Sequence, residues 1–330
     1  MLKKVLSIVS IVVLVGLLVN RPLINNYVLS LKDEAIPVSK IDDSLKREIE
    51  NQAKKYEIPA SDARIDKVWK ATPGYNGLKV DIHASYKNME KQKKFEEKKI
   101  VFEQIEPKIH LGDLPPSPIY RGHPDKPAVG FMVNVAWGNE YLSSMLETLK
   151  KHNVHATFFL EGRWVQKNPD LAKMIVAAGH EIGNHSFSHP DLKILSSART
   201  REEILQTNKV IKATTDILPK WFAPPSGSYR DETVQIAAEM GMGTVLWSVD
   251  TIDWQKPTVE TLINRVLKKV HNGALILMHP TESTAKSLDI MILKMKEKNL
   301  QIGTVSEVLD EKRLMKNNLN LGENSNNSNR

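Results

Sequence analysis

Residues 179–190 read G-H-E-I-G-N-H-S-F-S-H-P and set His185 and His189 four residues apart, just after a short apolar run. Two imidazoles at that spacing can point the same way from a helical turn or a tight loop and share one divalent ion, and borderline metals such as zinc take nitrogen ligands. The pair alone is a weak signal, because a surface loop can hold two histidines by accident. Other residues able to do chemistry recur further on. At 222–227 the sequence F-A-P-P-S-G forms a turn stiffened by Pro224 and Pro225 and followed by Ser226. At 248–254, S-V-D-T-I-D-W carries two carboxylates, Asp250 and Asp253, and the indole of Trp254. An apolar run at 275–278 ends on His279. Taken singly, each has a plain explanation: the aspartates as caps, Trp254 as core, His279 as a satisfied buried histidine.

Such residues need a frame. Beyond Pro127, apolar runs at 128–135, 156–160, 181–183, 221–223, 243–249 and 274–278, with a weaker one at 300–302, alternate with amphipathic stretches at 140–152, 169–178, 201–215, 231–240, 259–270 and 284–298. Strands alternating with helices predict an α/β fold with a parallel sheet, and this many units predict a closed or nearly closed barrel over 128–311. In such barrels the chemistry sits at the C-terminal strand ends. His185, His189, Ser226, Asp250, Asp253, Trp254 and His279 all fall there, which turns separate coincidences into one constellation.

Upstream, Lys3 and Lys4 precede an apolar run over 5–19. That order marks residues 1–24 as a signal peptide or a membrane anchor, with the remainder outside the cell. At ~1.5 Å per residue the run is shorter than a ~30 Å bilayer core, and no clear small-x-small cleavage site follows, so both readings stand. Residues 25–58 are polar and read as a stalk or helical linker, with a helix near 42–55. Residues 59–112 predict a small α/β module: two short strands around Pro73-Gly74 and Asn76-Gly77, a charged helix over 86–99 and a strand over 100–105. Residues 113–127 are a proline-rich connector, and 312–330, rich in Asn and Ser, read as a disordered tail.

A hydrophobic content of 41% supports a substantial globular core. The net charge of +7 favours acidic partners. Its lysines lack the interleaved aromatics of a nucleic-acid platform, so an anionic wall polymer or membrane surface fits better. With no cysteine, any metal must be held by His, Asp, Glu or water.

The order of these segments resembles the polysaccharide deacetylases of carbohydrate esterase family 4, including the nodulation-type chitooligosaccharide deacetylases. The resemblance spans about residues 127–305 and is carried by V-H-A-T-F-F-L-E-G at 154–162 and G-H-E-I-G-N-H-S-F-S-H at 179–189. The chain as a whole resembles an exported, sporulation-associated branch. The family implies a distorted (β/α) barrel of seven or eight parallel strands, here preceded by the small α/β module, and hydrolysis of N-acetyl groups on peptidoglycan or chitin-like glycans. It also implies a divalent metal, held by one Asp and two His, that polarises the acetamide and acidifies a bound water. A second Asp acts as base, and a histidine protonates the departing amine. On this match His185 and His189 are the metal histidines, His279 is the general acid, and Asp250 is the carboxylate that orients it. Trp254, Leu277, Pro225, Ser226, Asp253 and Trp137 line the substrate groove.

The departures are as informative as the matches. Where the family reads T-F-D-D-G, this chain reads Met132-Val133-Asn134-Val135-Ala136, which puts Asn134 at the base position and Val135 at the metal-carboxylate position. Where the family reads R-P-P-Y-G, Ala223 replaces the arginine that pairs with the base. An amide cannot take the water's proton, which removes ~10²–10⁴ in rate. An isopropyl group removes the anionic ligand. Once the base has lost its charge, the arginine would be an unpaired buried cation. A zinc- or cobalt-type metal is therefore expected to bind weakly or not at all.

The expectation is an exported deacetylase-like protein, catalytically impaired, that acts on or binds an N-acetylated wall glycan in the wall or spore envelope. Its partners are that glycan and, through the N-terminal segment, the membrane, with no nucleic acid. One alternative is an active metal-dependent deacetylase using Glu140 or Asp253 as a substitute carboxylate. Another is a non-enzymatic wall-interaction protein working through the 59–112 module.

Overall fold

The computed structural model describes residues 43–315 and 320–321. The expected signal or anchor at 1–24, residues 25–42 of the expected stalk, and most of the expected tail lie outside the described residues. Among those described, no helix is long and apolar enough to cross a membrane.

Helix α1 (Asp43–Ala53) carries Leu45, Ile49 and Ala53 at i, i+4 and i+8. That spacing puts them on one face, and all three are buried against Leu78, Val80, Met89, Ile100 and Phe102. The stretch read as a solvated stalk is therefore part of the module's core. The hairpin β1 (Arg64–Asp66) and β2 (Lys70–Thr72) follows, then β3 (Gly77–Val80), α2 (Ile82–Met89) and β4 (Val101–Ile105), with β3 and β4 antiparallel. Helix α2 lies N-terminal to the helix expected over 86–99. Asp81 caps its start by accepting from the Ala84 N–H at 2.9 Å, and residues 90–94 offer no apolar side chain to continue a buried face.

The barrel opens with β5 (Ala128–Val135), buried along its whole length. Its alternation is decisive. Val129, Phe131, Val133 and Val135 pack into the layer between sheet and helices. Ala128 and Met132 face the interior with Phe159, Ala223, Val245 and Leu275. Fully buried Phe131 and Phe158 contribute roughly 2–3 kcal/mol each. The chain continues through α3 (Asn139–Lys151), β6 (Thr157–Leu160), α4 (Gly162–Lys167), α5 (Pro169–Ala177), β7 (Glu181–Asn184), α6 (Ser197–Thr215), β8 (Trp221–Phe222) and α7 (Asp231–Glu239). It closes with β9 (Gly243–Thr244), β10 (Val249–Asp250), α8 (Val259–Lys269), β11 (Leu275–Met278), α9 (Glu282–Glu297), β12 (Gln301–Gly303) and α10 (Val305–Leu309).

The sheet runs β10-β11-β5-β6-β7-β8-β9, with β12 on the first half of β5, and its pairings are parallel. This is a distorted (β/α) barrel of eight strands. One expected strand, 243–249, is split in two. Between β9 and β10 the backbone turns to the connector instead of a barrel strand: the Ile119 N–H donates to Thr244 O at 2.9 Å, and the Leu246 N–H donates to Ile119 O at 2.8 Å.

Module and barrel are stitched at one seam. Lys126, buried at 2% exposure, donates from Nζ to Glu307 O and Asp310 O at 2.6 and 2.5 Å, which satisfies carbonyls around the end of α10. Glu311 accepts from the Gly74 and Leu111 N–H groups at 2.9 and 2.8 Å. Arg313 lies over the Tyr75 ring and donates to Asn76 O at 2.7 Å, and Met315 packs on the module core. Residues 312–315, expected in the tail, thus belong to the fold. A short strand β13 (Asn320–Leu321) pairs in parallel with β4.

Candidate active site

The strand ends converge on a cavity of about 480 Å³ lined by Asn134, Ala136, Trp137, His185, His189, Ser226, Trp247, Asp250, Trp254, Leu277 and His279. Larger apolar space exists between the connector and the opposite end of the barrel, lined by Leu111, Pro116, Trp221 and Met242, but it holds no paired titratable groups.

Asn134, near the end of β5, points inward and is 4% exposed, and its Oδ1 has no hydrogen-bond partner. Val135 is fully buried on the other side of the strand, in the layer facing the helices. At the expected metal-carboxylate position the chain therefore carries more than a changed side chain, because the valine has joined the hydrophobic core. After Ala136 and Trp137 the chain turns at Gly138, φ 82°. A Cβ there would come within 2.0 Å of Pro280 O, so only glycine allows this approach. The approach stacks the half-exposed Trp137 on His279, with centroids 5.8 Å apart and planes 9° apart.

The histidine loop is held from α6. Asn184 Nδ2 donates to Ile204 O at 2.9 Å and Asn208 Oδ1 at 2.8 Å, and its Oδ1 accepts from the Ser186 N–H. Glu203, buried on α6, accepts from the Phe187 N–H at 3.0 Å, the Ser188 N–H at 2.8 Å and Ser188 Oγ at 2.9 Å. These bonds hold Ser186 and His189 in left-handed backbone, φ 63° and 55°, a conformation non-glycine residues rarely keep without such support. His185 Nδ1 donates to Ala223 O at 2.8 Å, which leaves Nε2 as the ring's acceptor. The rings of His185 and His189 stand 5.1 Å apart at 72°. Burial pushes His185 down to about 3 and also lowers His189, so both are neutral imidazoles at neutral pH.

His279 is held by Asp253, not by Asp250. Asp253 is fully buried. Its Oδ1 accepts from His279 Nδ1 at 2.8 Å, and its Oδ2 accepts from the His279 N–H at 2.6 Å and Thr284 Oγ1 at 2.5 Å. Asp250 instead accepts from the Ile252 N–H at 2.7 Å and presents its carboxylate at the cavity wall. The reversal comes from a turn that folds back on itself with Ile252 at φ 51°, placing the second aspartate beneath β11. Spacing alone does not reveal which carboxylate that turn buries.

Of the expected groove residues, Trp137, Ser226, Trp254 and Leu277 line the cavity, while Pro225 is buried and Asp253 sits beneath His279. Glu140 stands in the first turn of α3 and lines an adjoining depression shared with Trp137 and Trp254. Trp247 was missed, because the run containing it reads as a continuous strand. A different signal hid Glu203, an acid on a helix otherwise read only for its apolar face.

The residues present do not fit a metal of the family type. A catalytic zinc takes three protein ligands, and here two imidazoles face a cavity in which the third position is an isopropyl group turned away. Among the described residues, no group of three or more His, Asp or Glu is placed to hold an ion.

A parallel barrel that gathers two imidazoles and a carboxylate-held histidine at its C-terminal strand ends places its candidate site where (β/α)-barrel enzymes place theirs. The polysaccharide deacetylase family profile matches residues 121–245. The chain is 55% identical to the crystal structure of BA3943 from Bacillus anthracis, described as a carbohydrate esterase family 4 pseudoenzyme, with TM-score 0.80 over 84% of this chain and 99% of that one. A variant of BA3943, described as having restored enzymatic activity, matches at 56% identity and TM-score 0.78, over 82% of this chain and 99% of that one. The uncharacterised protein YlxY of Bacillus subtilis is 54% identical over 88% of this chain and 91% of its own length. A peptidoglycan-N-acetylglucosamine deacetylase of Bacillus cereus is 35% identical over 50% of this chain and 62% of its own length. The chain belongs to carbohydrate esterase family 4, the polysaccharide deacetylases, and carries that family's active site in degenerate form.

Proposed function

We propose that this chain is an exported, catalytically impaired family member whose cavity holds a cell-wall glycan without deacetylating it. The observation that carries this reading is the joint state of three positions: Asn134 at the base, Val135 turned into the core and Ala223 in place of the arginine, around a cavity that is otherwise intact. Removing the base alone costs ~10²–10⁴ in rate. Neither substitute carboxylate compensates, since Glu140 lines a neighbouring depression and Asp253 is committed to His279 and Thr284.

Peptidoglycan is the favoured polymer, on the strength of the relative that deacetylates its N-acetylglucosamine. Lys3, Lys4 and the apolar run behind them support export and attachment at the membrane, in the wall or spore envelope. Trp137 and Trp254, 46% and 56% exposed at the rim, offer the flat apolar faces on which sugar rings stack. Acetate release from N-acetylglucosamine oligomers by the purified chain with zinc or cobalt, lost in His189→Ala, would refute the reading.

A further inference from the structure

We infer that the cavity selects a glycan carrying a free amine: it takes the glucosaminium form of the sugar, the product of a deacetylase, in preference to the N-acetylated form. The inference rests on the reading of the cavity as a glycan site and specifies what that site recognises.

The lining argues for a cation. Among the described residues, no lysine or arginine lines the cavity. The arginine of the family motif is Ala223, fully buried among Met132, Phe159 and Leu275. A carboxylate, Asp250, stands at the wall, with one oxygen tied to the Ile252 N–H. Three indoles, Trp137, Trp247 and Trp254, surround the space. Ring faces beside a carboxylate are the recurring arrangement for recognising ammonium groups.

The imidazoles of His185, His189 and His279 are the remaining titratable groups facing inward. His279 is bound to a buried carboxylate, so the pair adds no net positive charge in either protonation state of the ring. Lys256 and Lys286 line the adjoining depression, where Lys286 is paired with Glu282 at 2.5 Å. Asn134 adds an amide, 4% exposed, whose Oδ1 lacks a partner in the described structure. That oxygen is shielded from the cavity, so an ammonium, with three N–H bonds to place, finds its charged acceptor in the Asp250 carboxylate. An N-acetyl group offers that carboxylate a single N–H and no charge. The cavity's volume of about 480 Å³ is within the range of small-ligand sites.

The test is calorimetric titration of the full chain with three β-1,4-linked hexamers of equal length: fully N-acetylated, with a single free amine, and fully deacetylated. The single-amine hexamer is expected to bind about tenfold more tightly than the acetylated one. That margin is expected to vanish in Asp250→Asn, whose Oδ1 still accepts from the Ile252 N–H. Equal or tighter binding of the acetylated hexamer would overturn the inference and leave the glycan reading standing. Failure of all three to bind would overturn the glycan reading itself. A preference that survives Asp250→Asn unchanged would show that the Asp250 carboxylate does not carry it and overturn the inference as well.

Discussion

Asn134 and Val135 are adjacent on β5, yet the strand's alternation sends one into the cavity and the other into the layer beneath the helices. The two losses therefore have different physical consequences. Asn134→Asp returns a carboxylate to a polar cavity, whereas Val135→Asp alone buries one among aliphatic side chains. Val135→Asp should cost ~3 kcal/mol or more of unfolding free energy, and Asn134→Asp much less, as read from urea denaturation midpoints. Equal stability of the two variants would mean that the strand end turns freely. At this scale the sequence identified which residues gather at the site, because His185, His189, Asp250, Trp254 and His279 all line one cavity. It misassigned the partner of His279, since a turn through a left-handed Ile252 is not encoded by any glycine or asparagine at that position.

Helix α6 is the element that shapes the histidine loop. Glu203 accepts three hydrogen bonds from two consecutive loop residues, and Glu203→Ala would leave two backbone N–H groups without partners. A loss of ~2 kcal/mol is expected, together with faster amide exchange confined to residues 186–189. Unchanged exchange there would show that Asn184 alone holds the loop. Most barrel helices and strands were legible from apolar periodicity, since each buries one face or two. The failures are elements whose partners lie far along the chain. The break between β9 and β10 depends on Ile119, and α1 buries its apolar face against β3, β4 and α2, together with Ile100 and Met315.

Over the whole molecule, buried histidines outside the cavity make folding pH-dependent, His123 and His180 most strongly. His123 lies at the seam, stacked on Tyr75 at 5.0 Å, and burial pushes it down to about 4. His180 lies between α5 and β7 and is also pushed down to about 4 by burial, with His155 adding to the shift. Both stay neutral in the fold while the unfolded chain protonates them below about pH 6.5. Their contribution is therefore complete above about pH 6.5 and is lost as the pH falls toward 4, with a slope near 2.5 kcal/mol per pH unit around pH 5. His180→Phe should lower the slope measured near pH 5 by about 1.2 kcal/mol per pH unit in denaturation curves, and an unchanged slope would show that His180 carries none of it.

If Asn134, Val135 and Ala223 are what separate this scaffold from a working deacetylase, the family residues placed at those positions should bring turnover back. That role of the three positions is tested most directly by acetate release from N-acetylglucosamine oligomers with added cobalt, comparing the natural chain with the triple variant Asn134→Asp, Val135→Asp, Ala223→Arg. No turnover is expected from the natural chain, and measurable release is expected from the triple variant. Release by the natural chain, or none from a folded triple variant, would contradict that role.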